Sequence, residues 1–168
     1  MDPGLVRFNG LAEQPAREAL QACCAASTWI DVIEAGRPFA DREALQQAAR
    51  AALQGLDWNG IREALDAHPR IGQRMAAGSQ EASWSATEQS GMDTANAETR
   101  AALVEANRAY EERFGHVFLI FATGKTDAQL LAAARERVHH DVETERQTVR
   151  AELSQIVMLR LTKMLDAA

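Results

Sequence analysis

The chain contains little cysteine and no cluster of positive charge. Its 168 residues include two cysteines, the neighbours Cys23 and Cys24, which stand too close together to form a useful crosslink. No histidine spacing of a zinc site accompanies them, so we expect both to be reduced and to serve as packing residues. The net charge of −6, without a Lys/Arg cluster, argues against nucleic acid or an anionic membrane as a partner.

Long apolar runs are also absent. No stretch reaches the about 18 apolar residues of a membrane span. The start, Met1-Asp2-Pro3-Gly4, lacks a charged-then-apolar leader, and the end, Leu165-Asp166-Ala167-Ala168, is not a peroxisomal signal. We therefore expect no membrane partner and a cytoplasmic location. With 46% hydrophobic and 25% charged residues, we expect one ordinary domain over residues 1–168.

Residues that favour strands are scarce. Alanine, leucine, glutamate, glutamine and arginine dominate instead, which predicts an all-α helical bundle of about seven to nine helices. The predicted helices cover about 14–26, 29–34, 41–54 with Asp41 as N-cap, 58–67, 95–114, 126–138 with a capping box at Thr126, and about 25 residues from Asp141, with a short helix starting at Ser85. The apolar run 117–122 is predicted to be a buried strand or an extended core segment.

Two short motifs carry the chemistry. His68 stands where Pro69 ends a predicted helix, so its imidazole projects from a fixed backbone and suits proton transfer. The second motif is the run Ser85, Ala86, Thr87, Glu88 and Gln89. It gathers a hydroxyl, a carboxylate and an amide, but its spacing also matches a capping box. On spacing alone, Glu88 is therefore either a helix cap or a functional carboxylate.

An arginine interrupts the apolar face of the final helix. The apolar positions of that face are Val149, Leu153, Ile156 and Met164. Arg160 falls among them at helical spacing. Either it lies at the margin of the face and extends its charged end to solvent, or it is buried and requires anionic or acceptor partners. In the second case it would bind a carboxylate at the floor of a pocket.

Together these motifs resemble the family of 2-oxo-4-hydroxy-4-carboxy-5-ureidoimidazoline (OHCU) decarboxylases. The resemblance is carried by His68-Pro69, Ser85-x-x-Glu88-Gln89, Ala109-Tyr110, Arg113-Phe114-Gly115, the apolar run to Gly124-Lys125, and Leu159-Arg160-Leu161. It spans almost the whole chain. It implies an all-α enzyme of purine catabolism that needs no cofactor, is usually a homodimer, and converts OHCU into (S)-allantoin and CO2.

The resemblance also implies roles for individual residues. It makes His68, Glu88 and Arg160 catalytic. It makes the following residues substrate-binding: Pro69, Ser85, Ala86, Thr87, Glu88, Gln89, Phe118, Leu119, Ile120, Phe121 and Ala122. We expect the three catalytic residues to line one pocket, with His68 and Glu88 about 3 Å apart or joined by one water. The chain departs from the common pattern at His116-Val117, where many members carry an aromatic residue and a proline.

Two other interpretations remain open from the residues. In a non-catalytic α-helical interaction module, His68 would be a helix-end histidine, Glu88 a cap and Arg160 part of an ion pair. A related enzyme could instead act on another ureido or hydantoin-like acid. A metal site is not expected because no HxxxH or HExxH spacing occurs. We expect His116 to be a loop residue, and His139 and His140 to be surface or capping residues.

The first prediction concerns cofactors. The C5=N imine of OHCU lies next to the carboxylated carbon and can take up the electron pair that decarboxylation releases. OHCU decarboxylation by this chain should therefore survive exhaustive chelation and need no added cofactor. Allantoin formation measured before and after EDTA treatment checks this. Loss of activity that one metal restores would contradict it.

Overall fold

The structure is a computed structural model that describes residues 1–71 and 97–167. Within these ranges the chain forms eight helices, seven of which the sequence predicts, and no β-strand. They are α1 (Pro3–Gly10), α2 (Glu13–Cys23), α3 (Ser27–Ala35), α4 (Arg42–Gln54), α5 (Trp58–Asp66), α6 (Ala97–Phe114), α7 (Asp127–Arg137) and α8 (Val142–Asp166). The all-α class is confirmed. The predicted short helix at Ser85 lies outside the described residues.

Local capping signals set several of the helix ends. Asp41 accepts a hydrogen bond from the Ala44 amide at 2.8 Å and caps α4. Thr126 and Gln129 form the predicted capping box of α7. Asp141 accepts from the Thr144 amide at 2.9 Å at the start of α8. Gly115, with φ of 76°, follows α6 in a left-handed conformation that glycine adopts without strain.

Three details of the sequence prediction are wrong. α1 was not predicted, although Asp2 caps it by accepting from the Leu5 amide at 3.0 Å. α2 ends at Cys23 rather than near residue 26, because the chain turns into extended geometry at Cys24. α3 begins at Ser27 rather than Trp29. The carboxylate that accepts the Ser27 amide and hydroxyl belongs to Glu63, which is distant in sequence, so no local pattern shows it.

The chain divides into two units, which are described separately. The first consists of Met1–Ala64 and the chain from Ser154 onward. In it α2 packs on α3, and α3 packs on α4. Trp29 is fully buried and donates from Nε1 to the Ala49 carbonyl at 3.1 Å. Cys23 and Cys24 are both buried free thiols, which confirms their expected packing role.

The second unit consists of Leu65–Leu153. Its helices α6 and α7 pack against each other. Its hydrophobic core contains Ile71, Leu103, Tyr110, Phe118, Ile120, Ala122, Leu130 and Ala134. The apolar run 117–122 thus supplies core residues while forming neither helix nor strand. Of its two predicted forms, the strand is not observed. No helix in the described ranges is both long and apolar enough to cross a membrane.

A glycine in α1 allows a close helix contact within the first unit. A Cβ atom at Gly4 would lie 1.9 Å from the backbone oxygen of Leu165. Gly4→Ala should therefore force α1 away from the end of α8 and lower the free energy of unfolding by about 1–3 kcal/mol, as overpacking does.

Gly10 of the same helix is the matched control, because a Cβ there meets nothing within 4 Å. Gly10→Ala should leave stability unchanged or slightly raised. Thermal and urea unfolding of both variants measure the difference. Equal stability of the two variants would contradict the close contact at Gly4.

Candidate functional site

His68 lies in the second unit, two residues after α5 ends at Asp66. Its amide donates to the Leu65 carbonyl at 2.9 Å, which closes the end of the helix. His68 and Pro69 are both partly exposed. The imidazole therefore follows a helix end, as the sequence predicts, in a position that is neither fully buried nor fully exposed.

The residues after Pro69 are attached to α6. Arg70 donates from Nε and Nη2 to the two carboxylate oxygens of Glu111, at 2.7 and 3.0 Å. This hydrogen bonding raises the pKa of Arg70 above its ordinary value. Ile71 is buried, and its carbonyl accepts from Asn107 Nδ2 at 3.4 Å. Because a forked arginine–carboxylate pair fixes orientation as well as distance, it restricts the backbone next to His68.

Arg160 lies in the first unit and is 1% exposed. A side chain buried to this degree does not reach solvent, so the interpretation that it lies at the margin of its helix face is wrong. Its Nη1 donates to the Ala22 carbonyl at 3.4 Å. A buried guanidinium needs acceptors to offset the loss of water, and the Ala22 carbonyl is one of them.

The apolar segment Phe118–Ala122 keeps its predicted burial and adds specific backbone contacts. All its residues are buried except the half-buried Phe121. Arg137 Nη1 donates to the Leu119 carbonyl at 2.7 Å. The Phe121 amide donates to Glu152 Oε2 at 2.9 Å, and the Phe121 carbonyl accepts from Lys125 Nζ at 2.6 Å. The Phe121 N–H is therefore directed at Glu152.

A buried polar network supports this segment. The carboxylate of Glu145, 1% exposed, accepts from Tyr110 Oη at 2.5 Å and from Arg137 Nε and Nη2 at 2.9 and 2.5 Å. His140 Nδ1 lies 3.0 Å from the other oxygen of Glu145. Burial, followed by the hydrogen bond to Glu145, raises the pKa of Tyr110, so the phenol stays protonated and donates. Arg137 also lies over the Phe118 ring, 4.6 Å from its centroid.

Residues 85–89, with the predicted catalytic Glu88, lie outside the described residues. His68 belongs to the second unit and Arg160 to the first. The pocket that would unite His68, Glu88 and Arg160 therefore stays a prediction. The described ranges contain no group of three or more His, Cys, Asp or Glu residues arranged to hold a metal ion.

Comparison with known protein families shows the family of this chain. Residues 9–162 match the family model described as OHCU decarboxylase. The chain belongs to the OHCU decarboxylase family. The sequence prediction of an all-α decarboxylase family of urate degradation is thereby confirmed.

Curated relatives extend across most of the chain. The OHCU decarboxylase of Mus musculus is 30% identical over 145 residues, which cover 85% of this chain and 79% of that protein. The OHCU decarboxylase of Haloferax volcanii is 27% identical over 161 residues, which cover 95% of this chain and 94% of that protein. The uric acid degradation bifunctional protein TTL of Arabidopsis thaliana is 29% identical over 92% of this chain. The matched region spans only 48% of that longer protein.

Solved structures agree with the family. A crystal structure of OHCU decarboxylase in the presence of (S)-allantoin matches with a TM-score of 0.77 and 28% identity, covering 88% of this chain and 97% of that one. A crystal structure of (S)-allantoin synthase matches with a TM-score of 0.72 and 17% identity, covering 96% of this chain and 54% of that one. The second likeness supports the fold alone.

At His116 this chain departs from the common pattern of the OHCU decarboxylase family, and the structure shows how the residue packs there. His116 lies in a loop, as expected, but is buried. Its ring stacks on Phe114 with centroids 6.0 Å apart and meets the edge of Tyr110 at 5.5 Å. An imidazole thus packs as an aromatic ring at a position where many family members carry one.

Sequence reasoning missed Arg137 and Glu145, although a signal for both exists. Arg137 follows Leu130 and Ala134 on the buried face of α7. Glu145 precedes Val149 by one helical turn on the apolar face that also carries Arg160. The same criterion that singled out Arg160, a charge on an apolar face, would have found them. The interpretation of His140 as a surface or capping residue also missed its contact with Glu145.

Proposed function

We propose that this chain converts OHCU into (S)-allantoin and CO2 without a cofactor. The observation that supports this most is the family match over residues 9–162, which includes the positions of His68 and Arg160. A further finding is compatible with the proposal. Arg160 is buried, as a residue that binds an anionic group away from bulk water would be.

The chemistry requires little from the protein beyond binding and proton transfer. The C–CO2 bond breaks and its electron pair forms the C4=C5 bond, while the C5=N pair moves onto the imine nitrogen, which takes up a proton. The C4 hydroxyl of the resulting enol then loses its proton as the carbonyl forms, and protonation at C5 from one face sets the S configuration. An imidazole titrates near neutral pH, so His68 is our candidate acid and base.

The remaining roles follow the residue types. Glu88 would orient His68 or accept hydrogen bonds from the hydroxyl and ureido groups of the substrate. Ser85 and Gln89 would supply neutral hydrogen bonds, and Arg160 would bind anionic substrate. In the segment Phe118–Ala122, the amides of Leu119, Ile120 and Ala122 are the candidates for binding carbonyl oxygens, because the Phe121 amide donates to Glu152.

We also propose a homodimer and a cytoplasmic enzyme with a single domain over 1–168. The resemblance to the family supports the dimer. One continuous match over residues 9–162 supports the single domain.

The decisive assay generates OHCU in situ from urate with the two upstream enzymes and follows allantoin by circular dichroism. The chain should accelerate the appearance of the S enantiomer over the uncatalysed control. An unchanged rate and unchanged optical signal would refute the proposed activity. They would favour an interaction module or an enzyme acting on another ureido acid.

His68→Asn separates the chemistry from folding. The substitution keeps the helix end and Pro69 but removes the titrating group. We expect a melting temperature near wild type and a loss of about 10²–10⁴-fold in OHCU turnover, the usual contribution of a general acid or base. Near-full activity with normal S stereochemistry in the folded variant would show that His68 is not the proton-transfer residue.

Arg160→Met tests anion binding. The change keeps the apolar face of α8 but leaves the Ala22 carbonyl without its Arg160 donor, so thermal unfolding is measured beside activity to separate a loss of binding from a loss of stability. KM for OHCU should rise by about 10- to 100-fold, since a hydrogen bond to a charged group is lost. Arg160→Lys retains the charge and should recover part of the affinity. A KM equal to wild type in Arg160→Met would exclude Arg160 from substrate binding.

A further inference from the structure

We infer that Arg137, held by the buried carboxylate of Glu145, is a positioning residue that sets the orientation of the backbone in the segment Phe118–Ala122. This inference rests on the proposed function, in which amides of that segment bind the substrate. Arg137 itself is a positioning residue rather than a catalytic one, because its contacts are with the segment and with Glu145.

The segment lacks a regular backbone hydrogen-bond ladder. It forms neither helix nor strand, so its buried polar groups need partners outside a ladder. The Ala122 carbonyl accepts from the Lys125 amide at 3.0 Å, and side chains serve other groups. Arg137 donates to the Leu119 carbonyl and Lys125 donates to the Phe121 carbonyl. The Phe121 amide donates to Glu152. Three charged side chains therefore set the direction of the backbone where a ladder would otherwise do so.

Peptide planarity extends these contacts to the neighbouring amides. The Leu119 carbonyl and the Ile120 amide belong to one trans peptide plane, so they point in opposite directions. By donating to the Leu119 oxygen, Arg137 turns the Ile120 N–H away from itself. Lys125 does the same for the Ala122 N–H through the Phe121 oxygen. Two of the three candidate substrate-binding amides, those of Ile120 and Ala122, are thus oriented by cations on the far side of their peptide planes.

Arg137 is itself fixed more tightly than Lys125. Its side chain is 5% exposed, and its guanidinium uses Nε and Nη2 for Glu145 and Nη1 for Leu119. Glu145 is in turn fixed by Tyr110 Oη. A planar guanidinium can contact a carboxylate on one edge and a carbonyl on another, whereas an ammonium group cannot span both in this geometry.

Arg137→Lys is the direct test, because it retains the positive charge and removes the fork. OHCU turnover, amide hydrogen exchange of the peptide covering 118–122, and thermal unfolding are measured together. We expect kcat/KM to fall by about 10- to 100-fold, since small misplacements of binding groups cost this much. Amide exchange in the segment should become faster.

Arg37→Lys is the matched control. Arg37 is also largely buried, donates to the carbonyls of Phe8 and Leu11 at 2.9 and 2.8 Å, and pairs with Glu34 at 3.0 Å. All of these partners lie in the first unit. Arg37→Lys should lower the melting temperature comparably, yet leave kcat/KM and exchange in 118–122 at wild-type values.

Arg137→Met combined with Glu145→Gln guards against a variant that fails to fold. Removing both charges of a buried ion pair avoids an unpaired charge, and the glutamine amide oxygen can still accept from the buried Tyr110 hydroxyl. This double variant should fold, lack the hydrogen bond from residue 137 to the Leu119 carbonyl, and show the same fall in kcat/KM.

The outcomes separate this inference from the proposed function. Folded Arg137→Lys with wild-type kcat/KM, or with unchanged exchange in 118–122, would overturn the positioning role. An equal loss of activity in Arg37→Lys would overturn it too, because the effect would then be one of general stability. If wild-type protein fails to turn over OHCU, the proposed function fails, and the exchange comparison alone decides whether Arg137 holds the segment.

Discussion

The buried carboxylate of Glu145 connects parts of the second unit that are far apart along the chain. It accepts from Tyr110 of α6 and from Arg137 at the end of α7, and Arg137 extends the contact to the Leu119 carbonyl. A buried charge is tolerated only when paired and hydrogen-bonded. All of these partners must therefore be in place together, which fixes the irregular segment Phe118–Ala122 relative to the two helices.

Helix α6 supports both candidate parts of the site in this unit. Glu111 holds Arg70 and Asn107 holds the Ile71 carbonyl, so the chain after His68 is attached to this helix. The adjacent Tyr110 joins the network around Glu145. The candidate acid–base residue and the candidate binding segment are thus supported by residues from one stretch of a regular helix. Sites built on regular elements hold their geometry better than sites on loops alone.

Two charged residues interrupt the apolar face of helix α8. Glu145 and Arg160 occupy one face of α8 and are both 1% exposed. Burying a charge opposes stability unless it is compensated. At Glu145 the compensation is a network that positions a backbone segment. At Arg160 we propose that it includes an anionic substrate.

The sequence by itself determined the helical class, several helix ends and the candidates His68 and Arg160, because these depend on local propensity, capping and periodicity. The family followed from the resemblance of the motifs to a known family. Tertiary structure alone decided that Glu63 binds the start of α3 and that Glu145 joins α6, α7 and α8. It also decided that the Phe121 amide is occupied by Glu152. Hydrogen bonds between residues distant in the chain leave no fixed spacing in the sequence, so only the folded chain shows which donor meets which acceptor.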